Sequence, residues 1–200
     1  MPLVAPLPAD QNPEVAELAE LFNQTLGFVP NSVLTMLHRP ELARAFTALN
    51  RAVMCNQARV SSELKRLIGH LASSAAGCRY CQAHTIRAAE RYGAQAGADP
   101  ARLEQIWNFR SSELFSAAEK AAFEFALAAA QQPAAVDAAL ADTLRAHWDD
   151  GEIVEITGVV ALFGFLNRWN DAMGTTLENP ARADGERRLN ARGWTPGRHA

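Results

Sequence analysis

Apolar residues recur along the chain at three- and four-residue spacings and rarely alternate, so the pattern predicts helices and no strand of useful length. Pro and Gly divide the pattern into separate elements. Residues 13–26 read as a first helix, with Pro13 near its start and Gly27 after its end. Phe28-Val29-Pro30-Asn31 reads as a connector to a short helix near 32–37. Pro40 opens a helix from Glu41 to about Cys55, with Leu42, Ala45, Phe46 and Leu49 on one face. Ser61 or Ser62 caps the next, whose stripe is Leu64, Leu67, Ile68, Leu71 and Ala75. Gly77 interrupts, and Cys78 to Tyr92 form a further helix ended by Gly93. A short helix near 99–109 follows, then one from 117 to about 131 opened by a Ser116/Glu119 capping box and stopped by Pro133. Asp137–Trp148 and Gly151 to about Met173 complete the series, and Ile153–Trp169 is apolar on nearly every face, as in a core or a subunit interface.

Composition strengthens the helical reading. Of 200 residues, 39 are Ala against 5 Ile and 10 Val, which favours helix over sheet and predicts an all-α protein. With 48% hydrophobic and 20% charged residues the chain is globular rather than disordered. We expect one helical domain over 1–180 and an Arg-rich, solvated tail over 181–200, where Arg182, Arg187, Arg188, Arg192 and Arg198 face only Asp184 and Glu186. A net charge of −3 argues against a nucleic-acid partner. The most apolar stretch, Ile156–Leu166, is too short to span a bilayer, and the Pro-broken N-terminus lacks the basic start of a signal peptide, so no membrane partner and a cytoplasmic location are expected.

In a reducing compartment, paired cysteines point to redox chemistry or metal binding rather than to a structural disulfide. Cys78 and Cys81 stand at i and i+3, within about 60° of each other on a helix. Cys78 falls at the helix N-terminus, where free N–H groups and the helix dipole stabilise a thiolate, and Arg79 adds positive charge. His84 neighbours Cys81 on the helix and suits a proton shuttle. His70, on the preceding helix, and Glu63, two turns before it, complete a possible carboxylate–histidine–thiol relay. Three readings stay open: a redox pair, two inert buried thiols, and a zinc site drawn from Cys78, Cys81, His84 and His70, for which one rigid helix is an awkward frame. Cys55 reads as an isolated, buried or inert thiol, and Glu63 alone reads as an exposed first-turn residue.

Ser61-Ser62-Glu63-Leu64 together with Ala75-Ala76-Gly77-Cys78-Arg79-Tyr80-Cys81-Gln82-Ala83-His84-Thr85 resembles the core of the alkylhydroperoxidase D / carboxymuconolactone decarboxylase superfamily, in its peroxidase-related branch. Leu26–Asn31 and Phe163–Trp169 are similar to segments of that branch, so the resemblance covers roughly residues 10–180. It implies an all-α bundle and a homo-oligomer, a dimer, trimer or hexamer. It also implies a peroxidatic Cys81, a resolving Cys78 and a nearby Glu and His that relay protons. The helix dipole alone favours Cys78 as nucleophile; the resemblance and His84 favour Cys81. Two positions depart from the pattern. The family His follows the second Cys by four residues, where this chain has Thr85, and the family Glu precedes the first Cys by about twelve, where it has Arg66. The decarboxylase branch lacks this CxxC, which argues against a lactone decarboxylase.

The expectation is a thiol-dependent peroxidase that reduces organic hydroperoxides through a Cys78–Cys81 dithiol/disulfide cycle, with His84, Glu63 and His70 moving protons and with Tyr80 and Trp169 near the substrate. An external dithiol would regenerate it, and no cofactor or resident metal is expected. The competing readings are a non-catalytic, redox-sensing thiol switch and a metal-binding helical module.

Overall fold

A computed structural model describes residues 1–9, 13–55 and 58–200, without the side chains of residues 13, 14, 16 and 17. The described residues form ten α-helices and no strand: α1 Pro13–Thr25, α2 Asn31–Met36, α3 Pro40–Met54, α4 Ser62–Ala75, α5 Arg79–Ala96, α6 Ala101–Gln105, α7 Ala117–Ala129, α8 Ala138–Arg145, α9 Asp150–Met173 and α10 Asn179–Leu189. The architecture is the all-α bundle expected from the Ala-rich pattern. No described helix is long and apolar enough to cross a membrane.

The bundle is built around α4. Every residue from Leu64 to Ser73 is buried, because α5, α7 and α9 pack around it. Ser61 starts this helix, its Oγ accepting the Leu64 N–H at 3.2 Å. At its other end Gly77 adopts φ +78°, so that the Gly77 N–H reaches the Ser74 carbonyl and the Cys78 N–H reaches the Ser73 carbonyl, both at 3.1 Å. This six-to-one plus five-to-two closure needs a left-handed residue, which glycine supplies without strain. The chain turns there directly into α5, with Cys78 as its N-cap residue. The CxxC thus starts a core helix because of how α4 ends.

Close approach holds α4 to α9. A Cβ on Gly69 would lie 2.3 Å from the Phe163 ring. Lys65, fully buried on α4, is ion-paired with Glu155 of α9. The Ser116/Glu119 capping box is present at the start of α7, and a second one, Asp149/Glu152, opens α9.

Several expectations are corrected. Helix α5 runs through Gly93 and stops at Gly97 (φ +69°), since an interior glycine weakens a helix but does not end it when tertiary packing supports the turn. On α3 the buried face is Ala43, Phe46, Thr47 and Met54; Leu42, Ala45 and Leu49 face outward. Residues 181–200 are not a solvated tail. Helix α10 packs on α5, Arg187 and Arg188 pair with Glu90, Arg87 pairs with Asp184, and Trp194 and His199 are buried. Two of the arginines that suggested solvation, Arg187 and Arg188, meet Glu90 at a helix–helix seam.

Candidate functional site

Cys78 and Cys81 are both free thiols and both almost fully buried. Cys78 donates to the Cys81 sulfur. That hydrogen bond, then burial, then the charge of Cys81 push the Cys78 thiol far above its ordinary range. Burial and the neighbouring sulfur outweigh the helix-dipole preference for a Cys78 thiolate. Asn170 of α9, itself fully buried, aims its Nδ2 at Cys81 Sγ at 3.5 Å while donating to the Leu166 carbonyl at 2.9 Å. A fixed amide donor of this kind stabilises negative charge on sulfur.

Cys81 lines a cavity of about 80 Å³. That volume exceeds the roughly 10–15 Å³ one water needs, so a compact organic group fits. Phe22, Leu26, Val33, Phe46 and Phe163 make its apolar wall, and Arg66, His84, Thr85 and Asn170 add polar groups.

His84 sits on that wall within a network the sequence did not reveal. Its Nδ1 lies 2.9 Å from the Tyr80 carbonyl, and its Nε2 lies 2.8 Å from Glu178 Oε2. The Tyr80 hydroxyl donates to Glu178 Oε1 at 2.8 Å, the Asn31 N–H donates to the same oxygen, and the Tyr80 and His84 rings stack at 4.1 Å. Burial alone would raise the Glu178 carboxyl, but His84 and the Asn31 N–H hold it below its ordinary value, so it is a carboxylate beside His84.

The expected relay partners lie elsewhere. Glu63 accepts from Arg102 Nε at 2.9 Å, in a triad with Glu119, and does not line the cavity. It is held at the seam of α4 with the α6–α7 region because Arg102 offers two carboxylates a shared counter-charge. His70 is fully buried, with Nδ1 3.0 Å from the Thr85 hydroxyl and its ring edge-on to Trp107. Thr85 donates onward to the Cys81 carbonyl at 2.7 Å. Burial lowers His70 to about 4, so it is a neutral brace between α4 and α5 rather than a proton carrier near neutral pH. The zinc quartet does not assemble, since His84 turns to Glu178 and His70 to Thr85. Cys55 is exposed rather than buried, and Trp169 lines a surface groove with Phe165, not the thiol cavity.

A second missed group stands beside Cys78. Cys78, Asp171 and His199 offer a sulfur, a carboxylate oxygen and a ring nitrogen within 4.8 Å of one another. His199 Nδ1 faces the Thr175 carbonyl at 2.8 Å, and Nε2 faces Asp171 Oδ1 at 3.2 Å. Burial alone would lower His199, but its bonds to Cys78, Thr175 and Asp171 hold its pKa above the ordinary value. The set suits a base that takes the Cys78 proton.

The carboxymuconolactone decarboxylase family pattern matches residues 40–128, which contain α4 and the CxxC. The Escherichia coli K12 protein YnjA is 34% identical over 106 residues, 52% of this chain and only 56% of its own length, so the match spans little more than half of that relative. The debrominase Bmp8 is similar over 91% of this chain and 95% of its own, at 35% identity and a TM-score of 0.83. A cysteine-to-alanine variant of Bmp8 has been solved with 2,3,4-tribromopyrrole. A peroxidase-related protein from Ralstonia eutropha JMP134 with an alkylhydroperoxidase AhpD core is 26% identical over 88% of both chains, with a TM-score of 0.71. The family pattern, these neighbours and the all-helical frame around the CxxC converge, and the chain belongs to the alkylhydroperoxidase D-like / carboxymuconolactone decarboxylase superfamily.

Proposed function

We propose that the protein is a dithiol reductase whose Cys81 thiolate attacks an electrophilic atom of a small, largely apolar substrate, with organic hydroperoxides as the first substrate class. One observation carries the reading. Cys81 lines an apolar cavity with Asn170 at its sulfur, His84 on the same wall with Glu178 paired to it, and Cys78 in hydrogen-bond contact with Cys81.

The reaction balances within these residues. Cys81 sulfur attacks the terminal peroxide oxygen and the O–O bond breaks. The alkoxide leaves as the alcohol with a proton from the His84–Glu178 pair, and Cys81 becomes a sulfenic acid. Cys78 then attacks the Cys81 sulfur and its proton passes to His199, so that water leaves and a disulfide forms. An external dithiol reduces that disulfide and is itself oxidised. The cycle needs no cofactor or metal, and it belongs where thiols are kept reduced, the cytoplasm.

The likeness to Bmp8 favours a second reading, reductive dehalogenation of a flat halogenated ring. The bookkeeping is parallel. Cys81 takes the halogen from carbon, a proton replaces it on the ring, and Cys78 displaces halide to give the same disulfide. Both reactions draw two electrons from one dithiol.

We also propose a homo-oligomer. Val154 (71% exposed) and Phe165 (38%) on α9, and Leu49 (50%) on α3, leave apolar surface uncovered, and α3 meets α9 through the Phe46–Phe165 stack at 5.8 Å. A second copy of the chain is the occupant this face suits.

The test is dithiol-dependent consumption of cumene hydroperoxide set beside dithiol-dependent bromide release from 2,3,4-tribromopyrrole. Turnover of the peroxide, lost in Cys81→Ser, is the expected result. Bromide release alone would select the second reading. A single oxidation without turnover of either would leave a thiol switch.

A further inference from the structure

We infer that Arg66 makes the thiol cavity a receptor for a compact organic monoanion, a carboxylate above all, whose apolar body carries the reactive group toward Cys81; the last clause rests on the dithiol reading. Arg66 lies on α4, is 2% exposed, and lines the cavity that Cys81 and His84 also line. Its Nη1 donates to the carbonyls of Met54 at 2.9 Å and Ser62 at 3.1 Å, and its guanidinium lies 3.9 Å over the Tyr92 ring. Its buried Nε–H has no partner.

The contrast with the other buried or half-buried cations is informative. Lys65 pairs with Glu155, Arg102 with Glu63 and Glu119, and Arg87 with Asp184. Among the described residues no carboxylate pairs with Arg66. Carbonyl oxygens and a ring face ease a buried positive charge but do not neutralise it, and a charge out of water calls for a counter-charge. Among the described residues, the carboxylate that pairs with His84 of the cavity wall, Glu178, is committed to His84, Tyr80 and Asn31. An arriving anion is what completes Arg66.

Carboxylate suits it because guanidinium N–H groups and carboxylate oxygens form short, charge-assisted bonds in one plane. The volume of about 80 Å³ restricts the body to a small ring or short branched chain, which Phe22, Leu26, Phe46 and Phe163 would enclose. A neutral peroxide of the same shape would still reach Cys81, with lower affinity.

The test uses the reduced, full-length protein, with furan-2-carboxylate and its uncharged counterpart furan-2-carboxamide as probes, in calorimetric titrations. The carboxylate should bind about tenfold or more tighter. It should also slow alkylation of Cys81 by iodoacetamide, which locates it in this cavity. Arg66→Gln should erase the preference and Arg66→Lys should keep part of it. If either variant fails to fold, the wild-type preference together with Cys81 protection decides the matter. Equal affinities, no binding of either probe, or a preference without protection of Cys81 would overturn the inference. Binding involves no turnover, so a protein that prefers the carboxylate yet forms no disulfide with hydroperoxide would keep the anion site and lose the dithiol reading.

Discussion

Glu178, which spacing along the chain did not single out, stands beside His84, where Glu63 was expected. Glu178 faces His84, itself on the cavity wall, at 2.8 Å, whereas Glu63 is bound to Arg102 at 2.9 Å at a helix seam. Glu178→Gln removes the carboxylate that faces His84 and should lower kcat/KM for the peroxide about a hundredfold. Glu63→Gln should leave kcat/KM within about twofold but destabilise the fold by roughly 1–3 kcal/mol, because Arg102 loses a partner. Steady-state kinetics with urea unfolding separates the two outcomes; a large kinetic loss in Glu63→Gln alone would reverse the assignment. His70 gives a pH signature. Its folded pKa of about 4 lies below the ordinary 6.5, so the folded state binds fewer protons between those values. Its contribution is present in full above pH 6.5 and falls away as pH drops toward 4, by about 3 kcal/mol in all. Denaturant unfolding from pH 7 to 4 should show that slope, and His70→Gln should flatten it. Carboxylates held low, such as Glu178, lose their share at still lower pH.

At the scale of elements, the working geometry depends on how α4 meets its neighbours. Gly69 lets the Phe163 ring lie where a Cβ would sit 2.3 Å from it, and α9, which carries Phe163, also carries Asn170 and Asp171. Gly69→Ala should force α9 outward and cost about 1–3 kcal/mol, the usual penalty for overpacking. Thermal unfolding should show the loss, together with slower thiol chemistry, since the Asn170 donor moves with the helix. An unchanged melting temperature would contradict this packing. The sequence made the helices legible because their apolar spacing and caps are local signals; Ser61, Ser116 and Pro40 all stand where they should. Faces were harder to read. Leu42 and Leu49 share a spacing with Phe46 but point outward, because which side of an amphipathic helix is covered depends on neighbours distant in the chain.

For the whole molecule, the site divides the same way. Cys78, Cys81 and His84 were legible because about two turns at the start of one helix bring them together. Glu178, 98 residues from Tyr80, and His199, next to the last residue, were not, because their approach depends on the packing of α10 and the residues after it. The Arg-rich composition of that segment suggested solvent, while the carboxylates it meets sit on α5 and α10. The uncovered apolar residues on α3 and α9 predict a homo-oligomer in solution. Light scattering after gel filtration should return a mass above 21.7 kDa, and Phe165→Glu should shift it toward the monomer. A monomeric wild-type protein would remove the oligomer from the account.

The central claim is that Cys81 and Cys78 act in sequence as nucleophile and resolving thiol. Mass spectrometry of the reduced protein after one equivalent of cumene hydroperoxide tests it most directly. The account predicts a Cys78–Cys81 disulfide, a sulfenic acid trapped on Cys81 when Cys78 is replaced by Ser, and no oxidation at Cys78 in Cys81→Ser. A sulfenic acid that forms on Cys78 in Cys81→Ser as fast as the disulfide forms in the wild type would contradict it.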